Sequence, residues 1–578
     1  MLFYIQTIIS GNRIAGGYMS EYAAQQARNF LENEKQFHLG FLPTEQSSPL
    51  TRNLDKEFVR GTVYGVKNLQ SVDRNVAAMA EKVFASKEFA RLVDCGEEVI
   101  RSGGRIVFSG CGATGRLSIL LECMYRQCIA NTPELAAYSD SVYSIMTGGD
   151  YALVKSVEFF EDYQSFGRQQ VRELDLNEKD MLVAITEGGE TSSVLGTLFE
   201  ALDRKCKAFL MFNNPAGLLT EHLERSRKAI CDERVCVLDL FCGPMALAGS
   251  TRMQATTSEQ LIAGGALEAI VYRLLGRSMP DYARLFAQLL DELESCQSVQ
   301  AMADYINIEA ACYKKRGLIT YFANDYLLDI FTDTTERAPT FMLPPFRKCD
   351  DAVSPRPWAF VKNPLLTTPE VWQYGMQRKL RCLEWTPELY KAMNAPESVL
   401  TDSPKIQSCE LLKFMVGSED ISDRIASGND TAVLVTLATG NRNAELQAEF
   451  DKLSSAFAGK VHLAIGDDSG DLNVKCSLSD SPLQLMSHMA VKLVLNTIST
   501  GIMAVLGRVT GNWMSYVDVS NKKLLDRATR LIAEIGDMPY EKACLMLFEA
   551  IEYLENNTAP GEERTPVVQY VLKNLPVK

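Results

Sequence analysis

The chain has 578 residues, 46% of them hydrophobic and 23% charged, an ordinary globular composition with length for several cores. Its formal net charge of −14 excludes broad binding to nucleic acid or to an anionic membrane, since both demand a basic face. The 15 cysteines are scattered without a CxxC pair, Cys231, Cys236 and Cys242 match no zinc spacing, and the four histidines lie far apart, so neither a metal nor a disulfide framework is expected and the pattern fits a reducing cytoplasm.

The opening stretch, MLFYIQTIISGNRIAGGYMSEY, has an apolar run of signal-peptide length but no positive flank and a poor cleavage site, so the start reads as over-extended, with Met19 the true first residue. No window reaches the ~18–20 apolar residues of a spanning helix, and the expected location is the cytoplasm. Residues 20–50 are polar and are expected to wrap over the first domain, within an N-terminal extension of 1–55. Residues 75–103 read as helical, with Val76, Met79, Val83 and Phe84 at helical spacing. Then RIVFSG (105–110) precedes a helix to about 128, VYSIMTG (142–148) precedes a helical YALVKSVEFFEDY, and MLVAIT (181–186) precedes a helix from Ser192. AFLMFNN (208–214) and VCVLDL (235–240) lead to a long helix from about Ser250 to Leu275. Continuous apolar strands alternating with helices imply a parallel sheet covered on both faces, an α/β domain over 56–280.

The pattern repeats over 281–515, with a long helix near 281–314, then GLITYFA (317–323), TAVLVTLATG (431–440), KVHLAIG (460–466) and a helix over 481–507. Residues 343–364 hold five of the 21 prolines and read as an irregular insertion. A C-terminal helical segment, 516–578, ends in DMPYEKACLMLFEAIEYL. The fold class is therefore α/β: two doubly wound parallel sheets, three-layer αβα, plus a small helical segment.

Gly110, Gly112 and Gly115 spell G-x-G-x-x-G between a strand and a helix. Such a turn offers unpaired helix N-terminal amides and a favourable dipole to an anion, and its glycines allow close approach and positive φ. It also serves as a mere tight turn in α/β proteins. A dinucleotide would need an acidic residue about 20 positions on; the nearest plausible one, Asp150, is 35 after Gly115, so no nicotinamide cofactor is expected. A second turn, ITEGGETSSV (185–194), and a third, GPMALAGSTRMQATT (243–257), would converge with the first on one phosphate at the sheet's carboxyl edge.

The stretches SGCGATGR, TGGDYALVKSVEFFED, AGSTRMQA, VLNTISTGIMAVLGRVTGNWMSYVDVSNKKLLDRA and TEQSSPLTRNLDK together resemble the sugar isomerase (SIS) domain proteins, in the branch shared by N-acetylmuramic acid 6-phosphate etherases and the glucokinase regulatory protein. The resemblance covers roughly 44–280 and 480–540 and implies SIS-type sheets and a hexose or amino-sugar 6-phosphate ligand. It implies a phosphate loop at Gly112, Ala113, Thr114 and Gly115, a second turn at Gly188, Thr191 and Ser192, a third at Ser250, and Lys492 reaching over from the second domain. Glu187 and Glu190 are unexpected beside a phosphate and are expected to face solvent, the alternative being a ligand other than a plain phosphate monoester. Lys492 otherwise reads as a surface lysine.

Etherase chemistry needs a base at C2 and an acid at the ether oxygen. By the resemblance Glu158 is the base, or a hydroxyl-binding carboxylate in a non-catalytic member. The family's acid stands nine residues past the glycine, where this chain has Met124; Glu122, two residues earlier, is the substitute candidate. The family's GPE is Gly243-Pro244-Met245 here, and Gln254 replaces the lysine after STR. These losses favour a sensor that binds without turnover and signals to a partner such as a sugar kinase; the alternatives are an etherase-like lyase and, more weakly, an aldose–ketose isomerase, for which no histidine stands near a loop. In the second domain YFANDYLLDI (321–330) replaces the glycine loop and LATGNRNAEL (437–446) keeps only Gly440, so one site is expected, with the duplicate acting as an internal partner and a homodimer as a further option.

Overall fold

The computed structural model describes residues 20–478, 480–559 and 562–575; the proposed start at Met19 and the side chain of Glu158 lie outside the described part. Five parallel strands form the first sheet: β1 (Ile106–Gly110), β2 (Val142–Met146), β3 (Met181–Ile185), β4 (Lys207–Phe212) and β5 (Val235–Asp239), in the order β2-β1-β3-β4-β5. Every residue of β1 and β3 is buried, as their unbroken apolar runs require of strands covered on both faces. The second sheet repeats this order: β6 (Ile319–Phe322), β7 (Ala359–Lys362), β8 (Thr431–Leu437), β9 (Gly459–Ile465) and β10 (Leu472–Val474) run β10-β9-β8-β6-β7. In both, the chain starts at an inner strand and reverses direction across the sheet, so β1/β3 and β6/β8 mark the crevices where open α/β sheets take ligands.

Eight helices position the crevices and close the ends of the chain: α1 (Glu21–Asn33), α2 (Ala113–Ala130), α3 (Ser192–Asp203), α4 (Gln254–Leu274), α5 (Leu327–Phe341), α6 (Leu485–Val505), α7 (Lys522–Ile535) and α8 (Tyr540–Asn557). One apolar cluster runs from Leu54 to Val571 through both sheets. Its spine is α6, which, against the expectation that no window is apolar enough, is long and apolar enough to cross a membrane by composition, yet 83% of its most apolar stretch is buried against protein, including α4 and α5. It is a core helix, each of its large apolar side chains contributing roughly 1.5–3 kcal/mol by burial.

Four expectations change. YALVKSVEFFEDY is not an α-helix: Gly148 and Gly149 take φ of +91° and +70°, and two short 3-10 turns, Asp150–Leu153 and Glu158–Asp162, follow. The single helix near 281–314 is two, Tyr282–Leu293 and Cys296–Lys314, because the Ser295 hydroxyl accepts from the Ser298 amide (3.3 Å) and caps a new start. The proline-rich insertion contributes β7, and a helix, Val567–Lys573, follows the one expected to be last.

The N-terminal segment is more than a wrap. Ala27 and Phe30 of α1 pack on Cys544 and Leu545 of α8. Glu45 is 3% exposed and accepts from Arg527 (2.7 Å) and Arg530 (2.9 Å) of α7. Thr44 and Asn214 exchange two hydrogen bonds, of 3.1 and 2.9 Å. The segment thus ties the C-terminal helices to the first sheet.

Candidate functional site

The three glycines of the first loop have separate reasons. A Cβ on Gly110 would lie 2.4 Å from the Thr114 backbone, one on Gly115 would lie 2.7 Å from Met146 Cγ, and Gly112 takes φ +56°. α2 begins after Gly112 with no capping side chain, and α3 likewise begins after Thr191 with none. Two uncapped helix N-termini therefore meet at one sheet edge, the arrangement that favours an anion. The Thr114 hydroxyl donates to the Cys111 carbonyl (2.8 Å) and accepts from its amide (3.0 Å), bracing the loop. Thr191 accepts from Thr186 Oγ1 (3.0 Å), Gly188 accepts from Asn214 Nδ2 through its carbonyl (3.0 Å), and Ser192 is half-buried in the first turn of α3.

The third loop supplies an orphan donor. Ser250 is 4% exposed, and its hydroxyl has no partner among the described residues. Gln260 Nε2 and Glu259 Oε2 on α4 are in the same condition. An unmet buried polar group costs about 1–3 kcal/mol, so such atoms are what a bound polar ligand would satisfy.

Ala113, Arg252, Thr256 and Gln260 line a cavity here together with Glu336 of α5 and Lys492 of α6. Lys492 Nζ donates to the Arg252 carbonyl (3.0 Å), the Met253 carbonyl (3.3 Å) and Thr257 Oγ1 (2.7 Å), and burial lowers its pKa to about 8. It is therefore not a surface lysine. Arg252 crosses the other way, donating to Asp333 (3.0 Å), Ser499 (3.2 Å) and Thr500 (2.9 Å). Arg116 holds the Leu153 and Ala152 carbonyls (both 3.1 Å) and pairs with Glu336. The cavity is narrow, ≈ 30 Å³, with room for water only.

Both unexpected glutamates are buried rather than solvated, which corrects the sequence expectation. Glu190 turns away to Arg225 (2.5 Å), whose Nε also bonds the Glu190 carbonyl (2.6 Å). Glu187 accepts from Thr256 Oγ1 (3.3 Å); burial, with the charge of Glu336, raises its pKa to about 7. Glu259 is driven up further by burial and then by Glu187. Near neutrality this pair holds at least one proton, the condition of an acid/base couple or of a carboxyl that donates to a ligand. Lys523 of α7 stands nearby: burial works against its charge, but Glu161 and Glu190 outweigh that and raise its pKa.

Glu122 cannot be the acid. It is fully buried, accepts from Arg126 (2.9 Å), Ser144 (2.7 Å) and Arg378 (3.0 Å), and pairs with Arg381. Burial pushes its carboxyl up, but Arg378 and Arg381 outweigh this and hold it below the ordinary glutamate value, so it has no proton to give. Asp150 joins the same cluster through Arg378 (2.6 Å). Met124, in the family's acid position, is buried and lines a different cleft. Gln254 links the Ala246 amide (2.8 Å) to Asp73 (2.7 Å), and Met245 Sδ accepts from the Ala255 amide (3.2 Å), so both replacements brace the third loop.

The fold thus brings Ala113 and Lys492 to one cavity, with the helix starts after Gly112 and Thr191 at the same edge, and removes Glu122. Sequence reasoning missed Arg116 and Arg252, although the arginines of TGR and STR were the signal, and it missed Glu336, which no motif marks.

A family model described as the glucokinase regulatory protein N-terminal SIS domain matches residues 89–202. N-acetylmuramic acid 6-phosphate etherase 1 of Bacillus licheniformis is 30% identical over 227 residues, 39% of this chain and 67% of that protein. The N-acetylmuramic acid 6-phosphate etherase of Clostridium acetobutylicum is 29% identical over 257 residues, 44% of this chain and 78% of that protein. Among solved structures, tagatose-6-phosphate ketose/aldose isomerase from Escherichia coli overlaps 79% of this chain and 96% of its own, at 10% identity and a TM-score of 0.45.

Proposed function

Because the chain belongs to the N-acetylmuramic acid 6-phosphate etherase family of SIS domain proteins, we propose that its first sheet binds a sugar 6-phosphate and that it acts as a sensor, without turnover. The phosphate sits at the N-termini of α2 and α3, Ser250 donates its free hydroxyl to the ligand, and Lys492 supplies the cation from the second half. The observation that carries binding without chemistry is the fate of the carboxylates on α2: Met124 stands where the etherases keep an acid, and Glu122 is consumed by three arginines. Occupancy would be read by movement of Glu336 and Lys492, and a partner, for which a sugar kinase is the candidate, would sense that movement in the cytoplasm.

Glu187 favours a second reading. A buried carboxyl with pKa about 7, coupled to Glu259, is suited to protonate a leaving ether oxygen, with Glu158 as the base of an etherase-like lyase. Calorimetric titration with glucose 6-phosphate and N-acetylmuramic acid 6-phosphate, with lactate assayed in the same samples, separates the two. The sensor reading expects saturable binding and no lactate; lactate that disappears in Glu187→Gln installs the lyase instead.

A further inference from the structure

The second sheet's crevice is open. A cleft of ≈ 810 Å³ lies at the carboxyl ends of β6 and β8, within the 300–1,000 Å³ range of small-molecule sites. It is walled by Asn324, Asp325 and Tyr326 after β6 and by Thr439 and Asn441 after β8, the positions of the two phosphate turns in the first sheet.

Its turns differ from those of the first crevice. Asp325 Oδ2 accepts from the amides of Asn441 (3.0 Å) and Arg442 (3.4 Å), so the turn that would grip a phosphate is already met by the protein's own carboxylate. Asp325 Oδ1 accepts from the Tyr374 hydroxyl (3.0 Å), which fixes an aromatic ring in the wall. Tyr326 is held by Thr439 (2.6 Å), and the His488 ring, locked to Asp329 (2.7 Å), packs edge-on against it at 4.8 Å. Glu134 and Asp480 add further carboxylates to the lining, against Arg277 as its arginine. A phosphate dianion is repelled here, whereas hydroxyl groups meet amides, carboxylates and two tyrosine rings.

We propose that this cleft is a second ligand site that binds an unphosphorylated, uncharged hexose or N-acetylhexosamine. The inference does not rest on the sugar-phosphate reading of the first crevice. The neutral sugar lies against the Tyr326 and Tyr374 rings, with its hydroxyls on Asn441, Glu134 and Asp480, while Asp325, whose oxygens are filled by Asn324, Tyr374, Asn441 and Arg442, braces the wall.

The test is titration of the full chain with D-glucose, N-acetylglucosamine and glucose 6-phosphate, followed by calorimetry and thermal shift, on the wild type, Asn441→Trp, Tyr374→Ala and Lys492→Met. Asn441 is exposed at the rim, so its substitution fills the mouth without touching the core. The expected result is that one of the neutral sugars binds, and that Asn441→Trp and Tyr374→Ala each weaken it about tenfold or more, as loss of stacking or hydrogen bonding predicts. Lys492→Met leaves this binding unchanged. Absence of binding by both neutral sugars overturns the proposal. So does neutral-sugar binding that survives Asn441→Trp and is lost in Lys492→Met, or glucose 6-phosphate binding that Asn441→Trp abolishes. Loss of glucose 6-phosphate binding in Lys492→Met alone speaks only to the first crevice, so the two readings fail separately.

Discussion

The two sheets have the same strand order and different edges. At the first, a glycine loop and two uncapped helix starts leave backbone amides at the edge, with Lys492, Arg252 and Glu336 closing over it to leave ≈ 30 Å³. At the second, one residue, Asp325, satisfies the equivalent turn from within, and the cleft stands open at ≈ 810 Å³. The topology delivers backbone amides to both edges; a handful of side chains decides whether an anion is welcomed. Each half also walls the other: α5 and α6 close the first crevice, and Leu120, Cys123 and Met124 of α2 line the second.

The sharpest way to break this mutual arrangement is at Glu122. Glu122→Ala strands Arg126, Arg378 and Arg381 without it and should cost about 3–5 kcal/mol of stability in equilibrium urea unfolding, because it uncompensates buried charge. Sugar 6-phosphate affinity, measured where the variant is folded, should be unchanged; a selective loss of affinity would restore Glu122 to the site. Next is pH. Glu187 holds its proton to about 7 in the folded chain, against 4.5 for an ordinary glutamate. Between those values the unfolded chain has released a proton that the native one keeps, so stability falls as pH rises, by roughly 3 kcal/mol in all. Asp73, raised by burial to about 6, adds a slope of the same sign that ends lower. Urea midpoints between pH 4.5 and 8 should show the decline, and Glu187→Gln should flatten its upper part.

Lys492→Met separates the edges by ligand. It should weaken sugar 6-phosphate binding about ten- to a hundredfold, the worth of a charged hydrogen bond, and leave neutral-sugar binding at the second cleft intact. The smallest effect is expected at Gly112, where φ is +56° but a Cβ would meet nothing within 4 Å. Gly112→Ala should cost about 1 kcal/mol by backbone strain alone. A much larger loss would mean that the added methyl collides with something bound there.

The strands were legible wherever an apolar run was long enough to stand out, as in MLVAIT and TAVLVTLATG. AFVK was not, because four residues among prolines carry no period to read, yet it is β7. The glycine loop was legible as a strand–turn–helix because a local motif marks it, and Lys492 was singled out only through the family resemblance. Glu336 was not, since its partner Arg116 lies 220 positions away and only the packed interface joins them. The burial of Glu187 was misjudged for a related reason: a turn full of small polar residues looks solvated until Thr256 and Glu336 arrive from elsewhere in the chain. The open second cleft was hidden too, since a lost glycine motif says that a phosphate grip is gone, not that the space is filled.

Lys492 and Glu336 reach the first edge from the same polypeptide that builds it. Half-saturation by ligand should then stay fixed as the protein is diluted. A cut in the segment joining α4 to α5 should make it drift, once the severed halves can part.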